Sequence, residues 1–169
     1  MKVTIEYNDK KIDVELTAEQ IKKLGLQEEK KTGWERAEYD KVYYRLANSL
    51  NRTWSCTENN TSEDNDRYNN GNYFTDKNLA EKMNKCVRLM LRMQRWADEH
   101  NETLGWNNSY AIKYRIGYNI KTKELEITSS SITKSIGVVY FSSYGLAEKA
   151  IEEFGDEIID CYGESGVTR

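Results

Sequence analysis

Tyr73-Phe74-Thr75, followed by Leu79-Ala80-Glu81-Lys82, recurs in the second half of the chain as Tyr140-Phe141-Ser142, followed by Leu146-Ala147-Glu148-Lys149, at the same internal spacing. In each copy an aromatic pair reads as the end of a strand, a hydroxyl residue is able to cap a helix, and the Leu-Ala-Glu-Lys turn opens that helix. A unit that buries its apolar face against its own copy predicts an α+β fold. Two β-meander-plus-helix repeats, at 34–101 and 102–169, form antiparallel sheet with the helices on one face. In the first repeat Val42 to Ala47 and Thr53 to Thr57 read as strands, and Tyr68 to Phe74 reads as a third after the polar loop Glu58 to Asp66. A long helix from about Asp76 to His100 ends the unit. In the second, Ile112, Tyr114, Ile116, Tyr118 and Ile120 share one face of a strand, Leu125 and Ile127 share one face of the next, and Val138 to Phe141 form the third. Its helix starts near Ser143 and breaks at Gly155, leaving a short helical piece from Asp156 to Tyr162.

Residues 1–26 read as a small ββα appendage. Val3, Ile5 and Tyr7 alternate with polar residues, Asn8-Asp9-Lys10 supplies turn chemistry, and Ile12, Val14 and Leu16 resume the alternation. Thr17 with Gln20 is a capping-box pattern, Ala18 to Leu24 is helix-compatible, and Gly25 is placed as the left-handed stop. The charged stretch 27–33 reads as a linker to the repeat domain, 34–169. At 169 residues, with 38% hydrophobic and 31% charged residues, the chain is globular, and no apolar run approaches the roughly 18 residues of a membrane span. The alternating N-terminus lacks the apolar block of a signal peptide, which predicts a cytoplasmic protein. Cys56, Cys86 and Cys161 are an odd, widely spaced set that makes neither a disulfide framework nor a close ligand pair, so reduced thiols are expected and no metal.

Charge is segregated although the net is only −3. On a wheel of about 100° per residue, Leu79, Met83, Cys86, Val87, Met90 and Ala97 cluster on one side of the long helix and are expected to face the core. Lys85, Arg88, Arg92 and Arg95 line another flank for about 15 Å. That strip reads either as a docking surface for phosphates or an acidic protein, or as a solvated face paired with the acidic loop at 58–66. Trp96 and Leu89 border it. Lys113, Arg115 and Asn119 are expected on the open face of the second repeat's first strand, as a further partner-binding surface. Glu148, Glu152, Glu153, Asp156, Glu157, Asp160 and Glu164 load the C-terminal helices with acid. Arg67 follows three acids it could pair with, and Gly71 sits where a positive φ or a bulge is plausible, so both read as a structural turn or a contact.

Catalytic chemistry finds little support. The lone histidine, His100, lies at a helix end, where it is a favourable dipole partner. Ser129-Ser130-Ser131 lacks a nucleophile-elbow frame, and no Gly-rich phosphate loop follows a strand. Glu63-Asp64-Asn65-Asp66 read as a calcium loop has Tyr68 and Thr75 where acidic ligands belong. No enzyme and no cofactor are predicted.

The run Asp66-Arg67-Tyr68-Asn69-Asn70-Gly71-Asn72-Tyr73-Phe74-Thr75, then Ala80-Glu81-Lys82, Gln94-Arg95-Trp96-Ala97-Asp98-Glu99-His100-Asn101, and Tyr140-Phe141-Ser142-Ser143 with Ala147-Glu148-Lys149-Ala150-Ile151, resembles a family of small proteins encoded by phages and prophages of low-GC Gram-positive bacteria. In that family the Arg-Tyr-x-x-Gly-Asn-x-Phe and Tyr-Phe-Ser segments recur and the N-terminal piece varies. Such accessory proteins are similar in kind to anti-CRISPR and other anti-defence inhibitors. The resemblance therefore implies a non-enzymatic protein whose partner is a host defence nuclease or its nucleic-acid complex, and it supplies no catalytic residues. The alternative is direct DNA or RNA binding through the basic helix face.

Overall fold

The computed structural model describes residues 2–7, 10–25 and 31–163. It is a mixed α+β structure in two compact units that divide between Thr32 and Gly33. The turn expected at Asn8-Asp9, most of the stretch read as a linker, and Glu164 lie outside the described residues.

In the first unit β1 (Lys2–Tyr7) pairs antiparallel with β2 (Lys10–Glu15), with Val3 opposite Val14 and Ile5 opposite Ile12. Helix α1 (Ala18–Lys23) opens with the expected capping box, in which the Thr17 hydroxyl accepts from the Gln20 N–H and the Gln20 side chain accepts from the Thr17 N–H. Gly25 takes the expected left-handed conformation, φ +64°.

The second unit holds β3 (Val42–Leu46), β4 (Thr53–Thr57), α2 (Ser62–Asn69), α3 (Lys77–His100), β5 (Lys113–Asn119), β6 (Glu124–Ser130) and α4 (Tyr144–Tyr162). The described strands form three separate two-stranded antiparallel sheets. The repeated aromatic segments do not add full third strands. Each contributes one antiparallel bridge: Phe74 exchanges backbone hydrogen bonds with Tyr44 at 2.7 and 2.8 Å, and Phe141 does so with Tyr114 at 2.9 and 2.8 Å. Side-chain amides continue what the backbone starts. Asn72 accepts from the Leu46 N–H at 2.6 Å and donates to the Leu46 carbonyl at 3.2 Å. Asn101 brackets Phe141 in the same way, accepting from the Ser142 N–H and donating to the Tyr140 carbonyl, both at 2.8 Å. The helix caps fall one residue beyond the expected hydroxyls Thr75 and Ser142: Asp76 and Ser143 each accept from the N–H three residues on and start the long helices.

The polar loop expected at 58–66 is largely a helix. Thr61 and Asp64 form a capping box, and α2 runs through residues that the sequence reading gave to a strand. It ends at Gly71, φ +71°, where the Gly71 N–H bonds to the Tyr68 carbonyl and the Asn72 N–H to the Arg67 carbonyl. Those two bonds define a Schellman stop, for which the left-handed glycine is the usual residue. A Cβ on Gly71 would meet no atom within 4 Å, so Gly71→Ala should cost only the positive-φ penalty, about 1 kcal/mol. A thermal melt should show a drop of a few degrees.

Helix α3 serves two cores, and of the residues expected to face the core, Leu79, Met83, Cys86, Val87 and Ala97 pack there. Its first half packs Ala80, with Leu79, Met83 and Val87, against Leu46, Phe74 and Tyr44. Its second half packs Leu89, Met93 and Ala97 against Phe141, Ala147, Ala150, Phe154 and Ile158. At 100° per residue the buried face turns by roughly 95° between the halves. Met90, expected in the core, is therefore exposed, and Leu89 is buried. Helix α4 continues through Gly155 without a break. Gly155 is buried against Leu125 of β6, and that packing outweighs the roughly 1 kcal/mol a mid-helix glycine costs relative to alanine.

Candidate interaction surface

The basic flank of α3 splits into two rows. Lys85 reaches Asp160 at 3.2 Å, and Arg92 grips both carboxylate oxygens of Glu157 at 2.9 and 2.8 Å while lying over the Phe154 ring. The partners are thus α4 carboxylates, not the acids at 58–66. These pairs are half-exposed and contribute little stability, but they hold α3 and α4 in register and neutralise half of the strip. Arg88 and Arg95 form the outer row, exposed and without an ion pair among the described residues. Exposed Leu91 lies between them in sequence.

Trp96 is not an edge of this surface. It stacks on His100 at 4.2 Å and meets Phe141 and Phe154 edge-on at 6.1 and 6.3 Å, so it closes the core. His100 Nδ1 lies 2.7 Å from the Trp96 carbonyl oxygen at the end of α3.

Lys113 does not stand on an open sheet face. It is fully buried, its ammonium donates to the carbonyls of Asn108 and Ser131 at 3.2 and 3.1 Å, and it sits 4.8 Å from the Trp106 ring centre. Two carbonyls and an aromatic face are what makes a buried ammonium tolerable without a carboxylate. Arg115 is half-buried, bonded to Thr128 and Ser135 at 3.1 and 2.9 Å, and Asn119 is bonded to Glu126. Residues 131–135, pinned further by Ser135 N–H to Tyr140 Oη at 2.8 Å, cover the face that the alternation left open. Lys134, 5.4 Å from the same Trp106 ring, is the exposed cation there.

Arg67 belongs to a polar core around two stacked tyrosines, Tyr43 and Tyr73, whose ring centres are 3.9 Å apart. Buried Asp64 accepts from Tyr43 Oη and Thr61 Oγ1, both at 2.7 Å, and from the N–H groups of Asn59 and Thr61. Arg67 donates to Tyr43 Oη at 2.6 Å and pairs with Glu63 and Asp64. Buried Glu58 receives the Arg36 guanidinium at 3.0 and 3.1 Å, Tyr73 Oη at 2.7 Å and the Asn60 N–H at 2.8 Å. Arg36, opposing the effect of burial, pulls Glu58 below its ordinary range, helped by Tyr73 and Asn60. Burial pushes Asp64 up, but the donors from Tyr43, Thr61 and Asn59 outweigh it and hold it well down. Burial, then the Asp64 and Glu58 carboxylates, push Tyr43 and Tyr73 up. Every one of these groups is stabilised in its resting protonation state, which is the electrostatics of a structural lattice. Thr61 and Asp64, spaced as a capping box, are the sequence signal that could have located it.

An apolar hollow of about 390 Å³ opens elsewhere in this unit, with Leu89, Met93, Ile116, Tyr118, Val139 and Tyr162 in its lining, and no carboxylate, amine, thiol or imidazole faces it. Among the described residues no group of three His, Cys, Asp or Glu is gathered to hold a metal, and no helix is long and apolar enough to cross a membrane. Comparison with family models, with curated proteins and with solved structures finds no match.

Proposed function

We propose that this chain is a non-enzymatic phage or mobile-element accessory protein that inhibits a bacterial defence nuclease of the CRISPR-Cas kind by binding it or its nucleic-acid complex. The motif resemblance supplies the biological class. The outer row of α3, Arg88 and Arg95, supplies the contact, with Arg115 and Lys134 as a second cationic point. On this reading the second unit is two structural copies, each a hairpin, a bridging phenylalanine and a helix on one face, and residues 1–26 are an appendage to it.

The observation that carries the choice of a protein contact over bare nucleic acid is the pairing of Lys85 and Arg92 with Asp160 and Glu157. A phosphate backbone approaching α3 meets two free cations beside a carboxylate row, whereas a protein surface can match both signs. Fluorescence anisotropy with single-stranded DNA and RNA tests this. If only Arg88 and Arg95 engage phosphate, binding should be weak, and log K against log salt should have a slope no steeper than about −1.4. A slope near −3 would mean that all four cations leave their partners for phosphate, and direct nucleic-acid binding would replace the inhibitor reading.

A further inference from the structure

Cys86 of α3 and Cys161 of α4 meet across the helix pair, although 75 residues separate them in the chain. The Cys86 thiol donates to the Cys161 carbonyl oxygen at 3.7 Å. Cys161 is buried in the main core and Cys86, packed against that core, is partly open to solvent. Cys56, the third cysteine, sits in β4 opposite Tyr43. Two cysteines in contact on packed helices, one shielded and one reachable, have the arrangement of a sensing and a resolving cysteine.

We propose that Cys86 and Cys161 are a redox pair that closes to a disulfide between α3 and α4 when the protein meets a peroxide. The reachable Cys86 sulfur, as thiolate, attacks a peroxide oxygen. The O–O bond breaks, the departing hydroxide takes up a proton to leave as water, and Cys86 becomes a sulfenic acid. The Cys161 sulfur then attacks the Cys86 sulfur. The S–O bond breaks, and the Cys161 proton leaves with the hydroxyl as a second water. Two thiols have lost two electrons, and one hydrogen peroxide has become two waters. Burial raises the Cys161 thiol to about 12, so Cys86 is the one that meets the peroxide first. The bond closes a long loop and fixes α3 on α4 next to the Lys85–Asp160 pair.

The test treats the full purified chain with one equivalent of hydrogen peroxide. Intact mass should fall by about 2 Da, free thiols should drop from three to one, and peptide mapping should join Cys86 to Cys161. The melting temperature should rise by roughly 5–10 °C, and dithiothreitol should reverse all four changes. Cys86→Ser, at a partly exposed position, should stay folded and lose the cross-link. Oxygen addition without a cross-link, consumption of Cys56 first, covalent dimers, or no reaction would each overturn the proposal.

Discussion

Asp64→Ala is expected to cost about 3–5 kcal/mol, because it removes one partner of a buried, fully hydrogen-bonded charge network. Tyr43, Thr61 and the Asn59 N–H would lose their acceptor together, Arg67 would lose an ion pair, and α2 would lose its capping box. Against the 5–15 kcal/mol that holds a typical domain, the loss should show as a large shift in the urea midpoint. The pH dependence carries the same signature. Glu58 and Asp64 sit below their unfolded values, so the unfolded chain binds more protons in acid. Their contribution is fully present above about pH 5 and is lost as pH falls through the carboxylate range. Tyr43 and Tyr73 sit above theirs, so their contribution is present below about pH 10 and fades as pH rises beyond it. Urea titrations from pH 3 to 11 should trace a plateau with two falling limbs. Asp64→Asn should flatten the acid limb, and Tyr43→Phe the alkaline one.

Gly33→Ala should be far more damaging than Gly71→Ala. Gly33 has φ +86°, and a Cβ there would lie 2.8 Å from Leu79 Cδ2 and 2.9 Å from the Asp76 Cβ. Its carbonyl also accepts from the Thr75 N–H at 2.8 Å. Left-handed backbone strain and the two short contacts, one with the first turn of α3 and one with its cap, together should cost about 2–4 kcal/mol. That is more than the about 1 kcal/mol expected at Gly71, where the space is open, and parallel chemical denaturation of the two variants measures the difference. The residue was read as the end of a linker because a glycine after a charged run looks like punctuation. Its role is set by Leu79 and Asp76, which are remote in sequence.

The same contrast explains what was legible elsewhere. Alternation located β3 to β6 closely, and the repeated Tyr-Phe-hydroxyl segments marked the helix starts, because both signals are local. Helix α2 was missed because its eight residues, Ser62–Asn69, carry almost no apolar periodicity. Polar partners around Asp64 and Arg67 hold it instead. The rotation of α3 between two cores is invisible to a wheel that averages over the whole helix, so Leu89 reads as a surface residue although it is buried, and half-buried Trp96 packs its ring against Phe141 and Phe154. Lys113 was misplaced because strand alternation says which face a side chain takes, not whether Trp106 and residues 131–135 will cover that face. The structural role of Arg67, Gly71 and Asn72 also bears on the resemblance: the segment that carries it stops a helix and extends β3, so its recurrence speaks for fold more than for contact.

The binding claim rests on Arg88 and Arg95, two exposed residues whose replacement leaves both cores untouched. Immobilised wild-type protein and an Arg88→Glu/Arg95→Glu variant with the same melting temperature should be exposed to lysate of a Gram-positive bacterium that carries a CRISPR-Cas nuclease, with captured proteins quantified by mass spectrometry. The account predicts that the wild type enriches the nuclease and that the variant captures about tenfold less or lower, the 1.4 kcal/mol or more that two charge reversals at a contact should cost. Equal capture by both proteins, or a wild type that enriches no nuclease, would contradict it.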